Sequence, residues 1–268
     1  MSSLDPEIRK YYERGQEAGR LAGDFPSGPL ELERTQELIL RDLPDGPLDV
    51  LDVGGGPGIY ASWLAQAGHR VRLVDPVPLH VEQAASRHPG IDAVLGDARD
   101  LNEPYAAYDV VLLLGPLYHL VQAEDRLRAL SEAHRVLRPG GRIFAAAISR
   151  YAALLDLLIR LDRLHEPDMA DKVRQAVETG VFRGHVEGLF TTAYFHLPTE
   201  LVAEVAGAGF HGTQVFNIEG PGFLVGNFPE RWADPARRLA MLEAARLVEN
   251  EPCMMGASSH LLAVGHVP

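Results

Sequence analysis

Apolar and polar positions change their period repeatedly along the middle of this chain. Residues 48–53 form a short apolar run, a cluster of glycines follows, and residues 59–67 return to helix-like spacing. Short apolar runs that alternate with amphipathic stretches predict parallel strands joined by helical crossovers. Before this middle part, residues 5–22 and 29–43 read as helices separated by the breaker Asp24-Phe25-Pro26-Ser27-Gly28. After it, residues 151–181 carry helical periodicity, with Leu154, Leu155, Leu158, Leu161 and Leu164 spaced as one face. A helix over 198–208 stopped by Gly209, a strand over 213–218, a helix over 234–249 and a closing strand over 259–265 complete the pattern. The stretch between the last two strands is longer than a hairpin needs.

The chemistry concentrates in Asp52-Val53-Gly54-Gly55-Gly56-Pro57-Gly58, between the first strand and its helix. Glycine is needed where φ is positive or where backbone lies against a ligand, and a helix start presents unpaired amides to that ligand. The turn therefore reads as a nucleotide-type cofactor site. Its spacing is Asp-x-Gly-x-Gly-x-Gly; the third glycine falls one residue too early for the dinucleotide fingerprint.

Further landmarks follow in order: Gly68-His69-Arg70-Val71-Arg72-Leu73-Val74-Asp75, Gly96-Asp97-Ala98, the apolar run 108–114, and Leu137-Arg138-Pro139-Gly140-Gly141-Arg142-Ile143-Phe144. In this order they resemble the class I S-adenosylmethionine-dependent methyltransferases. The resemblance implies a Rossmann-like α/β fold: a seven-stranded, mostly parallel sheet with helices on both faces and a helical cap. It implies S-adenosylmethionine as cofactor, held by Asp52, Gly54, Gly55, Gly56 and Gly58, with Asp75 and Pro76 at the ribose and Asp97 and Ala98 at the adenine. Leu114 then ends the fourth strand beside the cofactor. It also implies a division into a helical lid over 1–44, a core over 45–150 and 196–268, and a cap insertion over 151–195 joined by 220–257.

Candidates for acceptor chemistry are sparser. The segment Leu114-Gly115-Pro116-Leu117-Tyr118-His119-Leu120 leaves the fourth strand where family members place the methyl acceptor. Tyr118 reads as packing or substrate contact, and His119 as a helix-start polar group or a general base, because imidazole titrates near neutrality. His196, in Thr191-Thr192-Ala193-Tyr194-Phe195-His196, is a second histidine for a pocket wall or a buried strand. On the first predicted helix Tyr12, Gln16 and Arg20 share a face. Arg20 is either a clamp for the cofactor's carboxylate or a partner of Glu17 at i, i+3.

Composition narrows the function. With 37 acidic against 25 basic residues the formal charge is −12, which argues against a phosphate-gripping nucleic-acid partner. A single cysteine, Cys253, excludes an intrachain disulfide framework and a multi-cysteine zinc site, and no metal is expected. No apolar run approaches a membrane span and the N-terminal stretch is charged rather than signal-like, so a cytoplasmic monomer or homodimer is expected. The resulting expectation is methyl transfer to an oxygen or nitrogen of a small molecule. Non-methylating use of the same cofactor, or cofactor binding without turnover, is the alternative.

Overall fold

The computed structural model describes residues 5–15, 17–87, 90–183 and 190–268. Its strands are β1 (Asp49–Val53), β2 (Arg70–Asp75), β3 (Asp92–Leu95), β4 (Tyr108–Leu113), β5 (Leu137–Ser149), β6 (Val181–Phe182), β7 (Ala193–His196), β8 (His211–Asn217) and β9 (His260–His266). The sheet runs β3-β2-β1-β4-β5, and β9 then β8 extend it beyond β5. Strands β1 to β5 are mutually parallel, while β9 is antiparallel to both β5 and β8. Successive residues of the inner strands feed opposite cores: Leu51, Val111, Leu113 and Ile143 on one face, Val50, Val110, Leu112 and Phe144 on the other. That double burial is why these strands read as unbroken apolar runs. Chain order reverses between β1 and β4, which opens a crevice at their carboxyl ends.

Strands β3-β2-β1-β4-β5-β9-β8 make the expected seven-stranded, mostly parallel sheet, and two short strands, β7 and β6, extend it to nine. Strand β5 outruns β4: its pairing with β4 ends at Leu113–Ala145, and farther on Ile148 and Ser149 pair in parallel with Phe195 and His196. Because β9 occupies the other edge of β5, β7 takes the edge that β4 vacates, and β6 pairs with it. Exposed edge amides and carbonyls are thereby satisfied.

Two helical expectations change. Residues 5–22 do not form one helix: Pro6–Tyr12 stops before Gly15, and Glu17–Gly19 runs into a wide π-type turn, Arg20–Asp24. Gly15, within that range, takes φ 75°, a backbone conformation that a continuous helix forbids, and Gly23 just beyond it takes φ 129°. Gln16 lies outside the described residues. The leucine stripe also rotates, because Ala152–Leu155 continues into the π-type turn Asp156–Arg160. Leu157 is buried at 1% exposure, whereas Leu158 is 54% exposed. A second helix, Pro167–Thr179, starts at a proline in its first turn. Among the described residues no helix is long and apolar enough to cross a membrane.

The helix Gly28–Asp42 is anchored by Arg34, whose side chain is fully buried. Its guanidinium donates to Glu37 at 2.6 Å, to Glu249 at 2.5 Å and to the Ile218 carbonyl at 3.3 Å, fastening the N-terminal region to the end of β8 and the helix Pro235–Val248. Arg34→Met should lower stability by about 3 kcal/mol, as expected when one partner of a buried ion pair is removed. Urea unfolding reads this as a lower midpoint, and an unchanged midpoint would contradict the assignment.

Candidate active site

Strand β1 delivers Asp52 to the crevice. The carboxylate is 1% exposed, and neither oxygen has a close hydrogen-bond partner among the described residues, although the Ala61 amide of the following helix favours its charged form. Burial, reinforced by the nearby charge of Asp75, pushes its pKa up to about 7. Above it the glycine turn curls back: the Gly54 amide donates to the Val74 carbonyl at 2.7 Å, and Gly54 and Gly56 hold φ at 69° and 56°. A β-carbon on Gly54 would stand 2.7 Å from Pro116, and one on Gly55 would stand 2.5 Å from an oxygen of Asp52. Gly58, at φ 82°, starts the helix Ile59–Gln66 and is absent from the cavity wall that Gly54, Gly55 and Gly56 form.

Asp75 ends β2 and organises the opposite wall. Its Oδ2 accepts the Gly56 amide at 2.9 Å, while its Oδ1 accepts the Val77 amide at 2.9 Å and lies 3.1 Å from His80 Nδ1. The residue thus caps the next helix and fixes the glycine turn at once. Pro76, Asp97, Ala98 and Leu114 line the same cavity. Burial raises the Asp97 pKa, but bonds from Arg99 outweigh it and hold the carboxyl below its usual range. The Arg99 guanidinium reaches both Asp97 oxygens, at 2.9 and 2.6 Å.

The N-terminal segment closes the cavity. The Tyr12 hydroxyl lies 2.5 Å from His119 Nε2, and the two rings meet edge to face. Burial drives the His119 pKa down to about 3, against a bond to the Thr192 backbone, so the ring is uncharged near neutrality. Burial raises the Tyr12 pKa well above its usual value, so its hydroxyl keeps its proton. Tyr118 donates to the Leu114 carbonyl at 3.2 Å. Arg20 donates to Glu17 at 2.8 Å and, bidentately, to Glu31 at 2.6 and 3.0 Å. The i, i+3 pairing with Glu17 is present; the stronger tie to Glu31 comes from the next helix.

A second cavity adjoins the first, and Tyr12, Glu17, Arg20 and Tyr118 line both. Its farther walls carry Phe25, Phe182, Phe190, Phe195 and Phe223, with the ion pair Asp156–Arg160 and His260 as polar groups. His196 lines neither cavity. Its Nε2 is 3.2 Å from Glu204, which also binds Arg126 at 2.6 Å, so the histidine pins β7 to the helix Pro198–Gly207.

His260 and its partners were not singled out as a site by sequence reasoning. Its Nδ1 lies 2.6 Å from Glu219 Oε1, and Glu219 Oε2 accepts from the Ser258 hydroxyl at 2.8 Å and the His260 amide at 3.0 Å. Glu31 Oε2 stands 3.7 Å from the same nitrogen. Burial lowers the His260 pKa, but the two carboxylates outweigh it and push it up to about 9. Glu219 is 41 residues away in sequence, so no local spacing signals the pair.

Comparison with known proteins bears on this geometry. Residues 50–141 match the family described as "Methyltransferase domain". The chain is 29% identical over 172 residues to a ubiquinone biosynthesis O-methyltransferase of Methylocella silvestris, covering 56% of this chain and 66% of that protein. It is 30% identical over 190 residues to the ubiquinone/menaquinone biosynthesis C-methyltransferase UbiE of Methylobacterium nodulans, covering 61% and 74%. It thus spans slightly under two thirds of the first relative's length. A solved SAM-dependent methyltransferase of Thermotoga maritima shares the fold at a TM-score of 0.57 and 20% identity, over 97% of this chain and 99% of that one. The crevice where chain order reverses, the glycine turn with its unpartnered Asp52 and these matches agree: the chain belongs to the class I S-adenosylmethionine-dependent methyltransferase family.

Proposed function

We propose that this protein transfers the methyl group of S-adenosylmethionine to an oxygen or nitrogen of a small molecule held in the second cavity. The observation that carries the reading is that Tyr12, Glu17, Arg20 and Tyr118 form a wall common to both cavities, which sets an acceptor site directly beside a cofactor site. When bound, the cofactor supplies an electrophilic methyl group on a sulfonium and leaves as a neutral thioether.

The chain's residues fit this cofactor. The Asp52 oxygens, without a close donor, suit the cofactor's ammonium, since a buried carboxylate short of donors is a costly arrangement that a cation relieves. In this reading Asp75 takes the ribose hydroxyls, with Asp97 and the backbone at Ala98 at the adenine. Arg20 lies where a carboxylate would enter, already oriented by Glu17 and Glu31. The uncharged His119 positions Tyr12, and through it the N-terminal segment as a lid. Residues 151–195 and 220–257 act as the cap. Catalysis comes mainly from positioning the acceptor in line with the departing sulfur and from excluding water.

The test combines binding and turnover. Calorimetry should show micromolar affinity for S-adenosylmethionine and S-adenosylhomocysteine, weakened at least about tenfold, or roughly 1.4 kcal/mol, by Asp75→Ala. Turnover on a small-molecule acceptor should release S-adenosylhomocysteine. Release of methylthioadenosine instead, or binding without any turnover, would count against methyl transfer.

Asp52 predicts two pH effects of defined sign. Its carboxyl has a folded pKa of about 7, above the unfolded value, so its contribution to stability is full at acid pH. That contribution is lost as pH rises toward 7, and the ligand-free protein should lose stability over this range relative to Asp52→Asn. Pairing with an ammonium needs the ionised form, so cofactor affinity should fall as pH drops from 7 to 5, with about one proton released on binding. Calorimetry in buffers of different ionisation enthalpy measures that proton; its persistence in Asp52→Asn would rule out this role.

A further inference from the structure

His260 occupies a position in the second cavity that the cofactor reading leaves unused. The other charged groups there already have partners: Arg20 lies between Glu17 and Glu31, and Asp156 pairs with Arg160. The remaining charged candidate on the wall is His260, and its counter-carboxylates, Glu219 and Glu31, stand behind it and do not line the cavity. Glu219 is 1% exposed and locked by Ser258 and the His260 amide. It engages Nδ1, so the ring is fixed in orientation. Nε2 has no protein partner among the described residues and is not enclosed by protein.

The cavity that His260 lines has otherwise aromatic walls: Tyr11, Tyr118, Phe182, Phe190, Phe195 and Phe223. Flat rings pack well against such walls. Glu31 ties His260 to the edge shared by both cavities: it binds Arg20 there at 2.6 Å and stands 3.7 Å from His260.

Resting on the methyltransferase reading, we propose that His260, oriented by Glu219, forms an oxyanion site and that the acceptor is a small aromatic compound with an acidic hydroxyl, bound as its phenolate or enolate on Nε2. An imidazolium donating to an oxyanion is a charge-assisted hydrogen bond, stronger than a neutral one and worth more away from water. The acceptor's hydroxyl proton goes to solvent as the anion binds. An oxygen lone pair then forms the C–O bond, the C–S bond breaks with its electron pair retained on sulfur, and the products are a methyl ether and S-adenosylhomocysteine. His119 and His196 do not compete for the role, since the first is tied to Tyr12 and the second lies outside the cavity.

The site should depend on pH in a stated direction. The groups facing His260 are Glu219 and Glu31, which hold its proton, and Arg20, which opposes them. Anion binding should therefore weaken as pH rises through about 9, where the imidazolium is lost. Removing the Glu219 charge lowers that pKa and moves the limb to lower pH.

The probe is 4-nitrophenol, added to protein saturated with S-adenosylhomocysteine at a pH below the phenol's own pKa. Wild type should raise the visible phenolate band, His260→Ala and His260→Gln should bind the phenolate at least tenfold more weakly, and Glu219→Gln should shift the loss of binding to lower pH. Absence of binding to wild type, or a phenolate band unchanged in both His260 variants, overturns the proposal. Calorimetric binding of S-adenosylhomocysteine serves as the control. If wild type fails that control, the methyltransferase reading itself fails; if it passes, a negative result with 4-nitrophenol removes only the oxyanion site.

Discussion

The structure turns on a buried carboxylate that has no side-chain partner. Asp52 sits near the carboxyl end of β1, its oxygens without a close hydrogen bond, and the backbone above it is shaped around that carboxylate. Gly55 has no side chain because one would strike an Asp52 oxygen, and Gly54 has none because one would strike Pro116 at the end of β4. Asp75 then fixes the turn from the neighbouring strand through the Gly56 amide. Two acids, two strand ends and one turn are therefore mutually constrained. The constraint holds open a place for a cation beside a set of backbone amides, which suits the family's cofactor.

Enclosure comes from a different source. The N-terminal segment buries Ile8 and Leu21, and polar links also hold it over the crevice: Tyr12 to His119, and Arg20 to Glu31. The same links separate the two cavities, since Tyr12 and Arg20 line both. At the second cavity, overextension of β5 brings in β7 and β6 and with them Phe182 and Phe195. The extra ribbon is thus both an answer to an unpaired strand edge and a wall of the second cavity.

Legibility of these features in sequence follows their range. The glycine turn, Asp75 and Asp97 could be read because each is fixed by local backbone geometry and by its place at a strand end. The N-terminal helix was read as continuous because Gly15 breaks it through backbone conformation, not through apolar spacing. The leucine stripe misplaced Leu157 and Leu158 because a π-type turn changes the period within the segment. Strands β6 and β7 depend on where β4 ends relative to β5, a long-range fact. The His260–Glu219–Glu31 cluster joins three distant elements, so no spacing rule reaches it.

The central claim is that the sulfonium methyl leaves the cofactor for a small molecule. The most direct measurement supplies trideuteromethyl S-adenosylmethionine together with a protein-free extract of small metabolites and follows the label by mass spectrometry. Methyl transfer gives a low-mass product that carries the intact labelled methyl group, formed one for one with S-adenosylhomocysteine. Label that stays in the cofactor, or that emerges in methylthioadenosine, would contradict it.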